Sequence, residues 1–183
     1  MTHLPRCPYT HPFMNYKKLI REVPNFPKPG VLFYDITTLL KDRVAFRSVV
    51  GDLTVLYRNR NVAKVVGIES RGFILGAPLA HQLDAGFVPV RKPGKLPADI
   101  FEVKYNLEYG SNSLAVHRDA IAMGERVLIV DDLLATGGTA AATVNLVRQF
   151  GGEIVGLAFL VELCSLKGRE QLEGCEVQAL IQY

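Results

Sequence analysis

A chain of 183 residues with 49% hydrophobic and 21% charged side chains has the size and apolar content of one globular domain and lies far from the disordered range. Its net charge of +3 is too small to argue for a nucleic-acid or membrane partner, and three widely spaced cysteines, Cys7, Cys164 and Cys175, form no C-x-x-C pair, which excludes a disulfide framework or cysteine zinc site and fits a reducing cytoplasm. The longest apolar run, 154–161, is eight residues, against about 20 needed to span a bilayer.

Residues 1–13 read as an irregular or disordered lead, punctuated by Pro5, Pro8 and Pro12 with no signal-peptide core, and Met14 reads as an alternative start. From residue 14 to 183 the pattern is that of one domain. A short amphipathic helix is expected over 16 to about 23. The segment Pro24-Asn25-Phe26-Pro27-Lys28-Pro29-Gly30 follows as a stiff loop, because its prolines forbid regular helix or central strand. Residues 31–36 read as a short extended piece. Asp42 opens a helix whose Phe46, Val49, Val50, Leu53, Leu56 and Tyr57 recur at spacings of three and four. Residues 64–68 are a buried-strand signal, followed by Glu69-Ser70-Arg71-Gly72 and a helix to about residue 83. The next strand, 87–91, runs into the basic loop Lys92-Pro93-Gly94-Lys95-Leu96-Pro97.

The period then changes to two. Phe101, Val103 and Tyr105 alternate with polar residues, as do Leu114 and Val116, predicting a two-stranded flap with a polar, mobile tip at 106–112. A buried strand from Val127 is expected to stop at Asp131-Asp132 and to turn through Ala135-Thr136-Gly137-Gly138 into a helix from Thr139 to Phe150. A strand over 154–161, a helical turn near 167–172 and a last strand near 177–181 complete the chain. Strands alternating with helices predict an α/β domain built on a doubly wound, mainly parallel sheet.

Three polar clusters follow apolar strands: Glu69 to Gly72, Arg91 to Lys95, and Asp131 to Thr139. In a parallel sheet these strand ends share one edge, which is where ligands bind. Each cluster alone is more often a cap or a solvated loop. Together they combine carboxylates, which suit sugar hydroxyls or a metal, with cations and an amide loop at a helix N-terminus that suit phosphate. A ribose 5-phosphate would satisfy both chemistries. No G-x-x-x-x-G-K-[ST], G-x-G-x-x-G or G-x-S-x-G is present, and His3, His11, His81 and His117 have no metal-ligand spacing. No basic helix stripe points to a duplex, so neither a nucleic acid nor a membrane is expected as a partner.

The stretch Val130 to Thr139 resembles the phosphoribosyl-pyrophosphate signature of type I phosphoribosyltransferases. The segments Phe26 to Ile36, Glu69 to Phe73, Arg91 to Pro97, Leu107-Glu108-Tyr109-Gly110, and Val161-Glu162-Leu163 with Ser165 to Glu170 resemble, more narrowly, the adenine phosphoribosyltransferase family. The likeness covers residues 16–183. It implies a Rossmann-like type I phosphoribosyltransferase architecture with a β flap and an N-terminal hood, acting as a cytoplasmic homodimer with Mg2+. The implied reaction is the purine-salvage step from adenine and phosphoribosyl pyrophosphate to AMP and pyrophosphate.

By that resemblance Asp131 and Asp132 hold the ribose and support positive charge at its anomeric carbon, while Ala135, Thr136, Gly137, Gly138 and Thr139 wrap the 5-phosphate. Ser70, Arg71, Lys92 and Lys95 hold pyrophosphate, and Arg71 counts among the catalytic residues. The peptide bond corresponding to Glu69-Ser70 is cis in the family. Val31, Leu32, Phe33 and Tyr34, with Leu133, bind adenine. Glu108, with Tyr109 beside it on the flap, closes over the site and manages a purine proton. Mg2+ is expected mainly on substrate oxygens, without a dedicated protein cage. The rival readings are transfer to hypoxanthine, guanine, xanthine or orotate, and a purine-sensing regulator of the same fold; the latter is disfavoured because only about 40 residues precede the first long helix.

Overall fold

The computed structural model describes residues 14–107 and 110–183. It divides into two compact units, with the boundary between Val55 and Leu56.

The first unit opens with a 3-10 turn, Tyr16–Leu19, and not with the longer helix expected over 16–23. Residues Arg21–Pro24 instead form strand β1, paired antiparallel with β2, Leu32–Asp35, with Val23 opposite Phe33. The helix loses because a partner strand lies close in the chain, and because Arg21 and Asp35 stand opposite each other and form an ion pair. Asp35 is pulled down to about 2, first by its hydrogen bond from Arg21 and then by those from Thr37. The hairpin loop contains a cis Phe26-Pro27 bond, and the Asn25 side chain accepts the Gly30 amide at 2.9 Å. A one-turn helix α1, Thr37–Leu40, precedes α2, Arg43–Tyr57. The Asp42 carboxylate caps α2 by accepting the Val44 and Ala45 amides at 2.8 and 3.0 Å. Val49 and Leu53 are fully buried, as the spacing predicts, whereas Leu56, in the same stripe, is 40% exposed.

The second unit is a five-stranded sheet in the order β4-β3-β7-β8-β9, with every neighbouring pair parallel. Its strands are β3, Lys64–Ile68; β4, Gly86–Val90; β7, Arg126–Leu134; β8, Glu153–Glu162; and β9, Val177–Gln182. Val, Ile and Leu dominate these strands because parallel strands are covered on both faces. Val66, Ile129, Leu157 and Phe159 join Leu146 and Val147 of helix α4, Gly138–Gln149, in one core. Helix α3, Arg71–Gln82, follows β3. Strand β7 continues through both carboxylates to Leu134, where the expectation had it stopping, because Leu133 and Leu134 find ladder partners in Val161 and Glu162 of β8.

The flap is the antiparallel pair β5, Ile100–Leu107, and β6, Gly110–His117. Its ladder pairs Asn106 with Ser111 and Leu107 with Gly110, so the expected tip at 106–112 is paired nearly to its end.

Candidate active site

Parallel register brings the three predicted clusters to one edge of the sheet. Gly67 of β3 is level with Val130 of β7, and Ile68 is level with Val90 of β4. The next residues along, Glu69, Arg91 and Asp131, therefore leave adjacent strands at nearly the same height, with neighbouring strands about 4.8 Å apart. Three segments distant in the chain become one polar rim.

The rim is organised as opposite charges in contact. Arg71, at the first turn of α3, places its Nε 2.7 Å from Asp132 Oδ2. Glu69 gathers the basic loop: Lys95 Nζ lies 2.6 Å and Arg91 Nη2 3.2 Å from its Oε1, while the Lys92 amide donates to its Oε2 at 3.0 Å. These partners, the Lys95 hydrogen bond foremost, hold the Glu69 carboxyl down at about 2. The Lys92 side chain is exposed, as is Ser70, and the Glu69-Ser70 peptide bond is cis.

Asp132 is buried, and Asp131 is half-buried beside the groove formed by residues 131–140. Removal from water raises both carboxyls above the ordinary carboxylate range. Asp131 rises further because the Asp132 charge adds to its burial, whereas Arg71 opposes the rise at Asp132. Gly72 is what allows α3 to approach this pair, since a Cβ there would lie 2.8 Å from Val130 O and 2.9 Å from Asp131 Oδ1.

After Leu134 the chain turns through Ala135 and Thr136 to Gly137, whose φ of +86° inverts the backbone and starts α4. The N-cap residue Gly137 has no side chain with which to cap this helix; its carbonyl accepts the Ala141 amide at 2.8 Å, and the first turn lines a groove with Asp131, Leu133 and residues 134–137. The cavity measures about 90 Å3, the space of roughly three water molecules, which is the scale of one phosphate group. The positive end of a helix attracts an anion. The loop is backed by Gly168, where a built Cβ would come within 2.2 Å of Ala135 O.

The structure thus brings together Ser70, Arg71, Lys92, Lys95, Asp131, Asp132, Leu133 and Ala135 to Thr139. Val31 to Tyr34 lie in the other unit, running from the loop end of its hairpin into β2, where Phe26 and Phe33 meet edge to face with ring centroids 5.1 Å apart. Glu108 and Tyr109 lie outside the described residues. Four contributors had no role from sequence: Glu69, Arg91, Gly72 and Gly168. The first two carry a weak signal, as charged members of clusters already singled out; the glycines act through close approach, for which a lone glycine in sequence is a poor sign.

Comparison with known proteins gives a consistent set of likenesses. The family model for the phosphoribosyl transferase domain matches residues 45–174. The adenine phosphoribosyltransferase of Acidobacterium capsulatum is 60% identical over 167 residues, covering 91% of this chain and 92% of that protein. Among solved structures, the adenine phosphoribosyltransferase of Thermoanaerobacter pseudethanolicus superposes with a TM-score of 0.89 at 49% identity, covering 92% of this chain and 98% of that one. That of Saccharomyces cerevisiae, complexed with D-2,5-dideoxy-2,5-imino-altritol 1,6-bisphosphate and adenine, gives 0.85 at 40% identity and covers 90% and 96%.

Proposed function

The chain belongs to the phosphoribosyltransferase family, among its adenine phosphoribosyltransferases, and from that premise we propose how its residues divide the reaction. The enzyme transfers the 5-phosphoribosyl group of phosphoribosyl pyrophosphate to adenine, releasing pyrophosphate and forming AMP. The observation that carries the assignment of roles is the shared rim, where an amide groove, a carboxylate pair and a cation cluster lie at the ends of three adjacent strands.

Breaking the bond between the anomeric carbon and pyrophosphate leaves positive charge on the sugar and negative charge on the leaving group. Groups fixed to meet both charges lower the barrier more than groups that meet the ground state. Asp131 and Asp132 hold the ribose hydroxyls and face the developing cation. Their removal from water supports this role: a positive charge facing the pair is weakly screened, and only Asp132 is in ion-pair contact with Arg71. The amides of 135–139 with the Thr136 and Thr139 hydroxyls hold the 5-phosphate. Ser70, Arg71, Lys92 and Lys95 hold pyrophosphate, with Arg71 bridging the two halves through its contact with Asp132.

The hood reads adenine through the main chain of Val31 to Tyr34, supported by the extended form of β2 and its pairing in a two-stranded sheet, and Leu133 covers a face of the base. The hood and catalytic unit act as one domain over 14–183. Glu108, with Tyr109, closes from the flap and takes up or returns a purine proton. Mg2+ fits the chemistry at the groove: Asp131 offers a hard oxygen donor, and substrate oxygens and water suit the ion's other positions. When bound, the ion offsets charge on pyrophosphate.

A cytoplasmic homodimer is the proposed working form. It rests on the family. AMP formation from adenine and phosphoribosyl pyrophosphate, measured with Mg2+ and after its chelation, tests the reading. Hypoxanthine, guanine, xanthine and orotate are run in parallel, and a faster product from any of them would replace adenine as the acceptor.

A further inference from the structure

The 5-phosphate loop is supported from behind by residues 163–169, of which Gly168 makes the contact. Leu134, the last residue before the loop, is the register partner of Glu162, and Leu163 donates its amide to Leu134 O at 2.9 Å. From there the chain makes a 3-10 turn, Cys164–Leu166, inverts at Lys167 with φ +53°, and presents Gly168 to the loop. The contact leaves no room for a side chain on either side. A Cβ at Gly168 would lie 2.2 Å from Ala135 O and 3.1 Å from Gly137 N, and one at Gly137 would lie 2.3 Å from Gly168 O.

The next residue ties this turn down. Arg169 grips the Glu162 carboxylate with two parallel bonds, Nε to Oε1 at 2.6 Å and Nη2 to Oε2 at 2.7 Å, and its Nη1 donates to Val177 O at 2.8 Å. Gln182 Nε2 adds a bond to Glu162 Oε2 at 3.0 Å. The Glu162 side chain is 5% exposed, so the pair is anchored on one side in the protein interior. A forked guanidinium on a carboxylate fixes orientation as well as distance, which an ammonium does not. The other ion pair of the turn, Lys167 with Glu170 at 3.8 Å, is exposed on both sides and contributes little.

We propose that the Glu162–Arg169 pair is the positioning device of the 5-phosphate loop, acting through the apposition of Gly168 against Ala135 and Gly137. The proposal rests on the reading of 135–139 as the 5-phosphate cradle. Neither residue is in the groove lining, which is drawn from 131–140. Loosening the pair lets the Gly168 backbone withdraw, and the amides that converge on phosphate lose their wall.

The test compares ligands that share only part of the site. In Arg169→Ala the KM for phosphoribosyl pyrophosphate and the inhibition constant of ribose 5-phosphate rise at least tenfold. The KM for adenine and the inhibition constant of pyrophosphate stay within twofold. Millimolar guanidinium ion, filling the vacated place beside Glu162, restores part of the loss. Arg169→Lys keeps the charge without the fork and shows the same split at smaller size, which carries the test if the alanine variant does not fold. Equal losses for all four ligands, or none, overturn the proposal. Gly137→Ala, measured alongside, separates the two levels of argument: if it abolishes ribose 5-phosphate inhibition while Arg169→Ala leaves it intact, the positioning role fails and the cradle stands. If Gly137→Ala also leaves it intact, the cradle reading fails first.

Discussion

Gly168→Ala isolates one contact, the wall behind the phosphate groove. Gly168 is not among the residues with positive φ, so alanine is conformationally acceptable there and its methyl group is the whole perturbation. That methyl would sit 2.2 Å from Ala135 O, 3.0 Å from Leu134 Cδ1 and 3.1 Å from Gly137 N. Non-bonded atoms are at rest near 3.5 Å, so the two backbones must part by roughly 1 Å. Overpacking of this kind costs about 1–3 kcal/mol of stability, and for a chain of this length each kcal/mol lowers Tm by about 2–4 °C. A displacement of roughly 1 Å in groups that position a substrate costs on the order of 10²-fold in rate. Initial rates over a grid of both substrates, beside a thermal melt, give the readout: kcat/KM for phosphoribosyl pyrophosphate falls by ~10²-fold, KM for adenine holds, and Tm drops by several degrees. Gly174→Ala is the control, because its φ of +76° strains an alanine while nothing lies within 4 Å of the added methyl. A folded Gly168→Ala enzyme with unchanged saturation by phosphoribosyl pyrophosphate would refute the wall.

Asp131→Asn is expected to abolish most turnover and yet raise Tm. Its carboxyl is raised in the fold, so unfolding releases a proton; the destabilisation grows as pH climbs from the ordinary carboxylate value through the folded one, at about 1.4 kcal/mol per pKa unit of rise, and is fully present above it. A melt of the ligand-free protein at neutral pH that shows the amide variant less stable contradicts this. Glu69 is the opposite case: its carboxyl is held down at about 2, so its stabilisation is complete above the ordinary value of 4.5 and is lost as pH falls toward 2. Glu69→Gln therefore flattens the acid limb of the stability profile between those values, and an unaltered limb argues against the cluster. Asp132→Asn and Gly138→Val lose activity with circular dichroism unchanged; wild-type rates in both remove the ribose-phosphate site. Glu108→Ala lowers turnover by at least ~10²-fold, the usual cost of losing a general acid or base, and full turnover would end its proton role.

The parallel sheet was legible because strands covered on both faces must be continuously apolar, as 65–68 and 154–161 are. Helix α2 was legible from its spacing and from Asp42, a cap whose chemistry is local. Strand β1 was not, because what makes Arg21–Pro24 a strand is its partner β2 and not its own pattern. The overrun of β7 past its carboxylates has the same origin: Asp131 and Asp132 read as a strand end until β8 supplies partners for Leu133 and Leu134. Pairing is likewise why Glu69 was missed as a centre. Its residue type was visible, but that it gathers Arg91, Lys92 and Lys95 depends on β3 and β4 ending level.

The charge pairs bear on how the reaction is organised. Arg71 and Lys95, proposed for pyrophosphate, are engaged by Asp132 and Glu69. A lysine or arginine left among like charges would repel its neighbours, so the carboxylates hold the cluster together. Pyrophosphate then competes for donors that already have partners, and only the difference between the two sets of contacts appears as affinity. At Asp132 the same exchange helps the chemistry. A pyrophosphate that draws Arg71 toward itself leaves a buried carboxylate short of its partner, at the point where the sugar is about to become positive. The sugar cation restores that partner, so the interaction is strongest in the transition state, where it accelerates the step.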